Sequence, residues 1–593
     1  MKAEERWQAR FRAPRMTLPV WARQAPNQAV YRCNVSGIWE AYAWDRITGA
    51  SRRVTHHPGG TPYATIDPAG QWIWWFADES GETGDDHEVY GRWMRQPFTG
   101  GPDEPIAVDP GVPAGIALSV TGTAAIGMAR PGAGYRIHLI RPGAPAQVIY
   151  EHTQPVSVAA MSLNGSLIAI GHSEHGDPEH PALRVLRPDG TTVAELYDGP
   201  GKGITGARFA PVPGDSRLLV LHERRGRREP MIWDPITGDQ REIWLRDPGD
   251  VTAEWYGDGR AILLIRNDRG RTTLHSYDLA GGSMTRIDTP RGVIEAAAPR
   301  PDGSIEYSWS SAAHPPVIRS SKGHVVMNPA GPSSPPSVPV EDLDVPGPGG
   351  PVHALVSRPE RVVPPYPTVF LLHGGPTSQD DDSFTPTVAA WVDLGFATVR
   401  VNYRGSTGYG TAWRDALRGD VGHIELADVS AVREHLVATG VADPERLVIA
   451  GHAWGGYLTL LALGTQPEVW AAGIAAAPIA DHAAAYREAE SLRARHRTLF
   501  GGPPEELPDV YAACSPITYV DRVEAPVLIL AGENDPRCPR GQLDAYIDRL
   551  TERGHPPEVY RYEAGNGTPS VAERITQMSL QLRFARKHTR KPL

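Results

Sequence analysis

Residues 447 to 460, LVIAGHAWGGYLTL, carry the motif of the chain that points most directly to chemistry. An apolar strand leads into a tight turn that contains Gly451, Gly455 and Gly456, and a helix follows. In a nucleophile elbow, such a turn holds a serine hydroxyl in position to attack a carbonyl carbon. Ala453 occupies the nucleophile position here, and its methyl group has no lone pair with which to attack. The pattern therefore predicts an elbow that lacks its nucleophile, and glycines that only pack a helix on a strand are the alternative.

The segments around this turn predict an α/β domain over 351–593. Apolar runs such as YPTVFLLHGG and FATVRVNYRG alternate with amphipathic segments of helical length such as ELADVSAVREHLVATG. One helical face, at i, i+3, i+4 and i+7, is formed by Leu543, Tyr546, Ile547 and Leu550. This alternation indicates a doubly wound, mostly parallel sheet. A stretch rich in Pro, Gly and Ser precedes it and predicts a linker over 331–350.

The first half of the chain repeats a short phrase, in which an apolar strand is followed by a polar turn that ends in glycine. The seven copies are YAWDRITG (42–49), YGRWMRQPFTG (90–100), IHLIRPG (137–143), LRVLRPDG (183–190), MIWDPITG (231–238), LHSYDLAG (274–281) and PVIRSSKG (316–323). Their spacing of roughly 40 to 50 residues is the length of a four-stranded propeller blade. We therefore predict a seven-bladed β-propeller over 21–330, because an array of β-sandwiches rarely keeps one period through seven copies.

Composition limits the possible partners of the protein. The 593 residues are 40% hydrophobic and 22% charged, as in an ordinary globular protein, and 59 basic against 69 acidic residues leave a net charge of −10. Without a long basic run, nucleic acid and anionic membranes are not expected partners. Three cysteines without a CxxC pair predict neither disulfides nor a zinc site, and no metal or cofactor is expected. The charged start of the chain predicts no signal peptide, so we expect a cytoplasmic protein.

Five motifs follow one another in the second half: LHGGP, NYRGSTGYG, GHAWGGY, SPITYVDRVEAPVLILAGENDPRCP and a terminal YEAGNG. This ordered set, preceded by a propeller, resembles the prolyl oligopeptidase family of serine peptidases, and within it the acylaminoacyl-peptidase and dipeptidyl-peptidase-like branch. The resemblance covers nearly the whole chain. It implies a propeller that admits short peptides to a chamber between the two domains. It also implies a helix in residues 1–20 that packs on the hydrolase domain.

Carried over residue by residue, the resemblance places the nucleophile position at Ala453, the orienting carboxylate at Asp535 and the histidine position at Asn566. These three residues are expected to converge in space, although a neutral amide cannot act as a base near pH 7. Asp535 as an ordinary loop or capping residue is the alternative reading. The oxyanion hole is expected from backbone N–H groups of Trp454, Gly374 and Gly375, which a substitution at position 453 leaves in place.

Four further side chains are candidates for ligand binding. Tyr403 and Arg404 follow an apolar strand and are expected to contact substrate, with a cap or salt bridge as the alternative. Glu488 and Glu490 match a helical stretch whose counterpart in related enzymes can bind a peptide amino terminus, but a solvated helix face is the favoured interpretation. Hydrogen-bonding or structural roles, rather than catalysis, are expected for His373, His423, His452 and Cys538.

Three functions are compatible with this pattern. The first is a diverged family member that has lost hydrolysis and binds, or converts without hydrolysis, a peptide-like or acyl ligand. The second is an ordinary serine peptidase changed at Ala453 and Asn566 to an inactive variant. The third is a scaffold that uses its propeller for binding. Loss of the serine alone would already abolish covalent catalysis, so the double change favours the first function. The sequence leaves the ligand open, and a homo-oligomer is possible.

Overall fold

The structure is a computed structural model that describes residues 2–80, 89–130, 132–246, 249–535, 537–563 and 570–590. Its first element is helix α1 (Ala3–Arg12), and short strands follow. Within the described residues these strands form seven antiparallel sheets, each of four consecutive strands. The first and second sheets consist of β1 (Val20–Trp21), β2 (Gln28–Cys33), β3 (Glu40–Asp45) and β4 (Ser51–Arg53), and of β5 (Ala64–Ile66), β6 (Trp72–Asp78), β7 (Gly91–Pro97) and β8 (Glu104–Pro105). The third, fourth and fifth consist of β9 (Val112–Leu118), β10 (Ala124–Arg130), β11 (Gly134–Ile140) and β12 (Gln147–His152); of β13 (Val156–Met161), β14 (Ile168–His172), β15 (Ala182–Leu186) and β16 (Thr192–Leu196); and of β17 (Ile204–Phe209), β18 (Leu218–His222), β19 (Glu229–Trp233) and β20 (Gln240–Glu242). The sixth and seventh consist of β21 (Asp250–Trp255), β22 (Ala261–Asp268), β23 (Arg271–Asp278) and β24 (Met284–Ile287), and of β25 (Val293–Pro299), β26 (Ile305–Ser311), β27 (His314–Ser320) and β28 (Val325–Met327).

These sheets are the blades of the predicted propeller. Each repeated phrase of the sequence supplies the third strand of a blade and the turn into the fourth. In two such turns Gly190 and Gly238 have φ angles of 87° and 82°, which glycine adopts without a side-chain penalty. The seventh and first blades share a cluster of buried side chains that includes Tyr31 and Ile318, and this contact closes the ring. The prediction of a seven-bladed propeller is confirmed.

The second domain is built on one eight-stranded sheet. Its strand order is β29-β30-β32-β31-β33-β34-β35-β36, antiparallel at the first two pairings and parallel at all others. This is the mostly parallel sheet expected from the sequence. The strands are β29 (Glu341–Gly347), β30 (Gly350–Ser357), β31 (Tyr366–Leu372), β32 (Ala397–Asn402), β33 (Ala442–His452), β34 (Ala472–Ala476), β35 (Val527–Gly532) and β36 (Glu558–Tyr562).

Helices cover both faces of this sheet. They are α2 (Pro386–Asp393), α3 (Thr411–Arg414), α4 (His423–Ala438), α5 (Trp454–Thr465), α6 (His482–Glu488), α7 (Glu490–Phe500), α8 (Pro508–Cys514), α9 (Arg540–Glu552) and α10 (Val571–His588), with a 3₁₀ helix at Pro516–Arg522. The apolar face predicted for α9 packs into one core: Leu543, Tyr546 and Leu550 are buried, and Ile547 is partly buried against them.

The predicted linker needs a correction. Within 331–350, residues Glu341–Gly347 form strand β29, which pairs with β30 along seven residue pairs. This strand lies at the edge of the sheet and most of its side chains are exposed, so it lacks an apolar pattern. An edge strand also tolerates proline, as at Pro346, because its outward N–H needs no partner. Composition alone therefore favoured a linker where the chain already belongs to the sheet.

Helix α1 packs on the second domain rather than on the propeller blades. Trp7 is fully buried, and Phe11 lies in the same core cluster as side chains of α2, α10 and the sheet. Arg10 is buried as well and forms an ion pair with Asp393 at the end of α2. Helix α1 thus contributes to the same core of the second domain as α10.

Loops of the propeller contact loops at the carboxyl ends of the parallel strands. Arg271 donates from Nε to Asp382 at 2.9 Å, and the backbone N–H of Gly408 donates to Asp250 at 2.8 Å. Asp382 follows β31 and Gly408 follows β32, and ligands of α/β folds bind at this end of the sheet. The propeller therefore faces the end of the sheet that carries the elbow. In the described part of the chain, no helix combines the length and the apolar character needed to span a bilayer.

Candidate active site

Ala453 is a single residue between the end of β33 and the start of α5. Its φ of 50° and ψ of −111° lie in a region that residues with a Cβ atom rarely adopt. Its N–H donates to the carbonyl of Ala476 at 2.9 Å, and its carbonyl accepts from the N–H of Tyr457 at 2.9 Å. The predicted sharp turn between strand and helix is present at this position.

The glycines beside Ala453 allow the helix to pass very close to the strands. A Cβ atom on Gly451 would lie 2.3 Å from the carbonyl carbon of Gly455, and one on Gly455 would lie 2.0 Å from the carbonyl oxygen of Leu372. Both distances are far below van der Waals contact. These glycines are therefore required by the close approach of α5 to β31 and β33, which is the approach that produces the turn.

The glycine loop after β31 lies directly beside the turn. A Cβ atom placed on Gly374 would be 3.9 Å from Cβ of Ala453 and 3.5 Å from the carbonyl oxygen of His452. Trp454 is the first residue of α5, so its backbone N–H has no acceptor within the helix. Gly374, Gly375 and Trp454, predicted as the oxyanion hole, thus belong to two segments that meet at Ala453. Backbone N–H groups in such a position can bind a carbonyl or carboxylate oxygen.

Tyr403 packs against the glycine loop at His373, the residue directly before Gly374 and Gly375. Its side chain is fully buried, its hydroxyl donates to the carbonyl of His373 at 2.7 Å, and its ring stacks on the His373 imidazole at 4.2 Å. Nε2 of His373 lies 2.9 Å from Oγ of Ser406, and burial lowers the pKa of His373 while the Asp380 carboxylate opposes that shift. A direct ligand contact by Tyr403 is not compatible with this burial, and the residue positions the loop instead.

Arg404 is committed to an ion pair. Its Nε and Nη2 donate to the buried carboxylate of Asp428 at 3.0 and 2.9 Å, and its backbone N–H donates to the same carboxylate at 2.8 Å. The alternative salt-bridge role is therefore the one that the structure contains, because Asp428 would otherwise be a buried charge without a partner.

Asp535 lies in the loop between β35 and α9 and is buried. Its Oδ1 accepts from the backbone N–H groups of Arg537 at 2.9 Å and Cys538 at 3.2 Å. The Cys538 thiol donates to the carbonyl of Ala477 at 2.9 Å, beside the Ala476 carbonyl that holds Ala453. The elbow and the Asp535 loop are thus bonded to two adjacent residues, Ala476 at the end of β34 and Ala477 directly after it. Asn566 lies within 564–569, outside the described residues, so its convergence on this site stays a prediction.

Glu488 and Glu490 lie at the junction of α6 and α7, and both are exposed. The Glu488 carboxylate is close to the first turn of α9, where a Cβ atom on Gly541 would lie 3.2 Å from its Oε1. The position agrees with a solvated helix junction. A role in binding a peptide amino terminus stays a prediction.

Sequence reasoning missed one residue of this site, Glu425. It is fully buried in the first turn of α4, where its Oε1 accepts from Nε1–H of Trp454 at 3.1 Å and its Oε2 accepts from the N–H of Gly422 at 2.6 Å. Burial raises the pKa of Glu425 to about 7, although these hydrogen bonds oppose the shift. A glycine followed three residues later by glutamate is a helix-start signal, but nothing in it indicates Trp454 as the partner.

A model of the prolyl oligopeptidase family matches residues 382–592, a range that includes Ala453 and Asp535. Over these residues the hydrolase domain is similar to the prolyl oligopeptidase family. Among named relatives, the acylamino-acid-releasing enzyme of Arabidopsis thaliana is 27% identical over 353 residues, 52% of this chain and 45% of that enzyme. Dipeptidyl peptidase family member 6 of Caenorhabditis elegans is 30% identical over 202 residues, 33% of this chain and 26% of that protein. The matched segment thus spans less than half of either relative.

Solved structures resemble this chain over nearly its whole length. A structure from a study of two prolyl endopeptidases has a TM-score of 0.82 at 18% identity and covers 99% of this chain and 91% of that one. A puromycin-hydrolyzing peptidase of Mycobacterium tuberculosis has a TM-score of 0.80 at 20% identity and covers 99% and 96%. At such identities the similarity establishes the fold of the prolyl oligopeptidase family, a propeller followed by a hydrolase domain.

Proposed function

We propose that the chain binds a peptide-like or acyl ligand between its propeller and its hydrolase domain without hydrolysing it. The observation that carries the proposal is the turn at Ala453, which keeps a positive φ of 50° beside the glycine loop although its side chain is a methyl group. A backbone held in such a region costs about 1–3 kcal/mol and is typical of functional sites. A scaffold that worked only through its propeller would have no use for this strained turn.

The chemistry of the side chains supports binding without turnover. A methyl group at position 453 cannot attack a carbonyl, and the amide of Asn566, predicted for the histidine position, cannot take up a proton near pH 7. Backbone N–H groups of Trp454 and the glycine loop would still bind the oxygen of a carbonyl or carboxylate. A non-hydrolytic step on the bound ligand belongs to the same proposal, because a polarised carbonyl remains available to other reactants.

A second candidate is a peptidase captured as an inactive variant. The intact supports of the site favour it: Tyr403 holds the glycine loop, Glu425 holds Trp454, and Asp535 is buried in its loop. Two exchanges, at positions 453 and 566, separate this chain from the expected triad. Comparison of the encoding gene with the chain at these positions distinguishes the two candidates directly.

A cytoplasmic location is also part of the proposal. It rests on Cys33, Cys514 and Cys538, which are all buried and free of disulfides.

The proposal is tested by measuring binding and cleavage with one probe, the blocked dipeptide acetyl-Ala-Gln-amide. Titration calorimetry is expected to show saturable binding, and mass spectrometry of the same mixture should recover the intact peptide. Failure of this probe and of its two acidic analogues, acetyl-Ala-Glu-amide and acetyl-Ala-Gln with a free carboxylate, to bind would contradict the proposal. Cleavage that disappears in His452→Ala or Cys538→Ala would contradict it as well, because the chain would then contain a different nucleophile or base.

A further inference from the structure

A cavity of about 160 Å³ lies between the two domains, next to the glycine loop. Pro376 and Thr377, which directly follow Gly375, form one wall, and Arg495 and Thr498 of α7 form another. The propeller closes the cavity with Glu179 and neighbouring residues. Its volume is close to the roughly 150 Å³ that accommodates a single benzene molecule, so one side-chain-sized group fits.

Most of the charge on the walls is already paired. Arg414 forms ion pairs with Glu223 of the propeller and with Asp415, and Arg228 lies 3.6 Å from Glu223. These contacts tie the domains together at the cavity. These paired side chains have few hydrogen-bonding groups left for a ligand, because the Glu223 carboxylate already interacts with two arginines.

Two arginines on the walls are the exceptions in the described part of the chain, Arg495 and Arg418, and Arg418 is exposed to solvent. Arg495 is partly buried, and within the described part of the chain it forms no hydrogen bond and no ion pair within 4 Å. Burial lowers the pKa of its guanidinium, the Glu179 carboxylate opposes that shift, and the positive charge of Arg537 adds to it. Arg537 stands two residues after Asp535, so Arg495 lies within electrostatic reach of the loop that carries this carboxylate. A desolvated cation without a close carboxylate is unfavourable, and a ligand carboxylate would relieve that cost.

We propose that Arg495 anchors a carboxylate of the bound peptide in this interdomain cavity, either an acidic side chain or a free carboxyl terminus. The planar guanidinium can donate two parallel hydrogen bonds to such a group. The inference rests on the proposed function, since it names the class of peptide that the site prefers. Glu179 is the competitor within the protein, because its carboxylate lines the same cavity, lies within electrostatic range of the guanidinium and repels an incoming anion.

The test compares three probes on the full chain, whose Ala453 allows equilibrium binding to be measured. They are acetyl-Ala-Gln-amide, acetyl-Ala-Glu-amide, and acetyl-Ala-Gln with a free carboxylate. At least one acidic probe is expected to bind about 10- to 100-fold more tightly than the neutral one, as a charge-assisted hydrogen bond predicts. Whichever acidic probe is preferred identifies the source of the carboxylate.

Three variants connect this preference to the cavity. Arg495→Gln should abolish it while leaving the affinity for the neutral probe unchanged, and Glu179→Gln should strengthen it. The control, Arg586→Gln, removes the same charge from the exposed face of α10 and should leave the preference unchanged.

Three outcomes would overturn the inference. Equal binding of all three probes by the unaltered chain would contradict the anchor and leave the proposed function standing, and this comparison needs no variant to fold. A preference that persists in a folded Arg495→Gln chain, verified by an unchanged thermal unfolding temperature, would place the anion site elsewhere. Absence of binding for all three probes would instead remove the proposed function and the inference together.

Discussion

Nε1–H of Trp454 donates a hydrogen bond to Oε1 of Glu425 across 3.1 Å, and this bond joins the first turn of α5 to the first turn of α4. Trp454 follows the elbow residue, so the carboxyl group of Glu425 helps to fix the backbone N–H predicted for the oxyanion hole. The same carboxyl group is fully buried, with a pKa raised to about 7. The ionisation state of the buried Glu425 carboxyl group is therefore expected to affect how well the elbow is ordered, so that this order depends on pH.

Glu425 predicts a pH dependence of stability. Its folded-state pKa of about 7 lies above the ordinary value of 4.5, so the folded protein holds the proton more tightly than the unfolded chain. The corresponding stabilisation is present below pH 4.5 and is lost as the pH rises to 7, by roughly 3 kcal/mol. Urea titrations at pH 5 and pH 8 should show this loss in the unaltered chain. In Glu425→Gln the difference between pH 5 and pH 8 should shrink by about 2.5 kcal/mol, and an unchanged difference would assign the pH dependence to other groups.

Gly374 predicts a way to block the site without unfolding it. A methyl group there would have contacts of 3.5 and 3.9 Å, which are ordinary distances, yet it would enter the space between the glycine loop and Ala453. Gly374→Ala should therefore weaken binding of acetyl-Ala-Gln-amide at least about tenfold and leave the thermal unfolding temperature unchanged. The matched control is Gly257→Ala, where a methyl group meets no atom within 4 Å. Full affinity in Gly374→Ala would place the ligand elsewhere.

Restoring the expected triad tests which residues are missing. Ala453→Ser alone should not react with a fluorophosphonate, because the hydroxyl keeps its proton without an imidazole nearby. Ala453→Ser with Asn566→His should be labelled, and in subtilisin the corresponding residues account for about 10⁶-fold of the rate. Labelling is read by gel fluorescence and turnover by release of a chromogenic amine from an alanyl amide. Equal labelling of the single and double variants would refute Asn566 as the histidine position.

A folded double variant that stays unreactive has a different meaning. The pocket would then have been rebuilt for another ligand, which favours natural divergence. Rapid cleavage by the double variant would favour a peptidase disabled at two positions, with Asp535 orienting the new imidazole.

Helix α1 predicts that the first residues stabilise the hydrolase domain. Trp7 is fully buried in the core cluster that this helix shares with α2, α10 and the sheet, so Trp7→Ala should lower the free energy of unfolding by about 3–5 kcal/mol. Trp244→Ala is the control, since that indole is 55% exposed on the propeller and should cost less than about 1 kcal/mol. Chemical denaturation followed by tryptophan fluorescence measures both. A loss of similar size in the two variants would argue against the docking of α1.

Local patterns in the sequence were sufficient for much of the fold. The period of the propeller depends on turn glycines such as Gly190 and Gly238, and a turn is determined by the few residues that form it. The position of the elbow depends on Gly451 and Gly455, because only glycine permits that approach of helix and strand. The apolar face of α9 is likewise readable from spacing along one helix.

The tertiary structure alone decided what the polar residues do. The loop position of Tyr403 indicated a ligand contact, but the glycine loop packs over its side chain and leaves none of it exposed to a ligand. Trp454 and Glu425 are 29 residues apart, and no local pattern joins them. Arg495 is one arginine among many in the sequence, and only the meeting of two domains makes it a partly buried cation beside a cavity. Such roles depend on burial and on partners distant in the chain, and both arise only when the elements have packed.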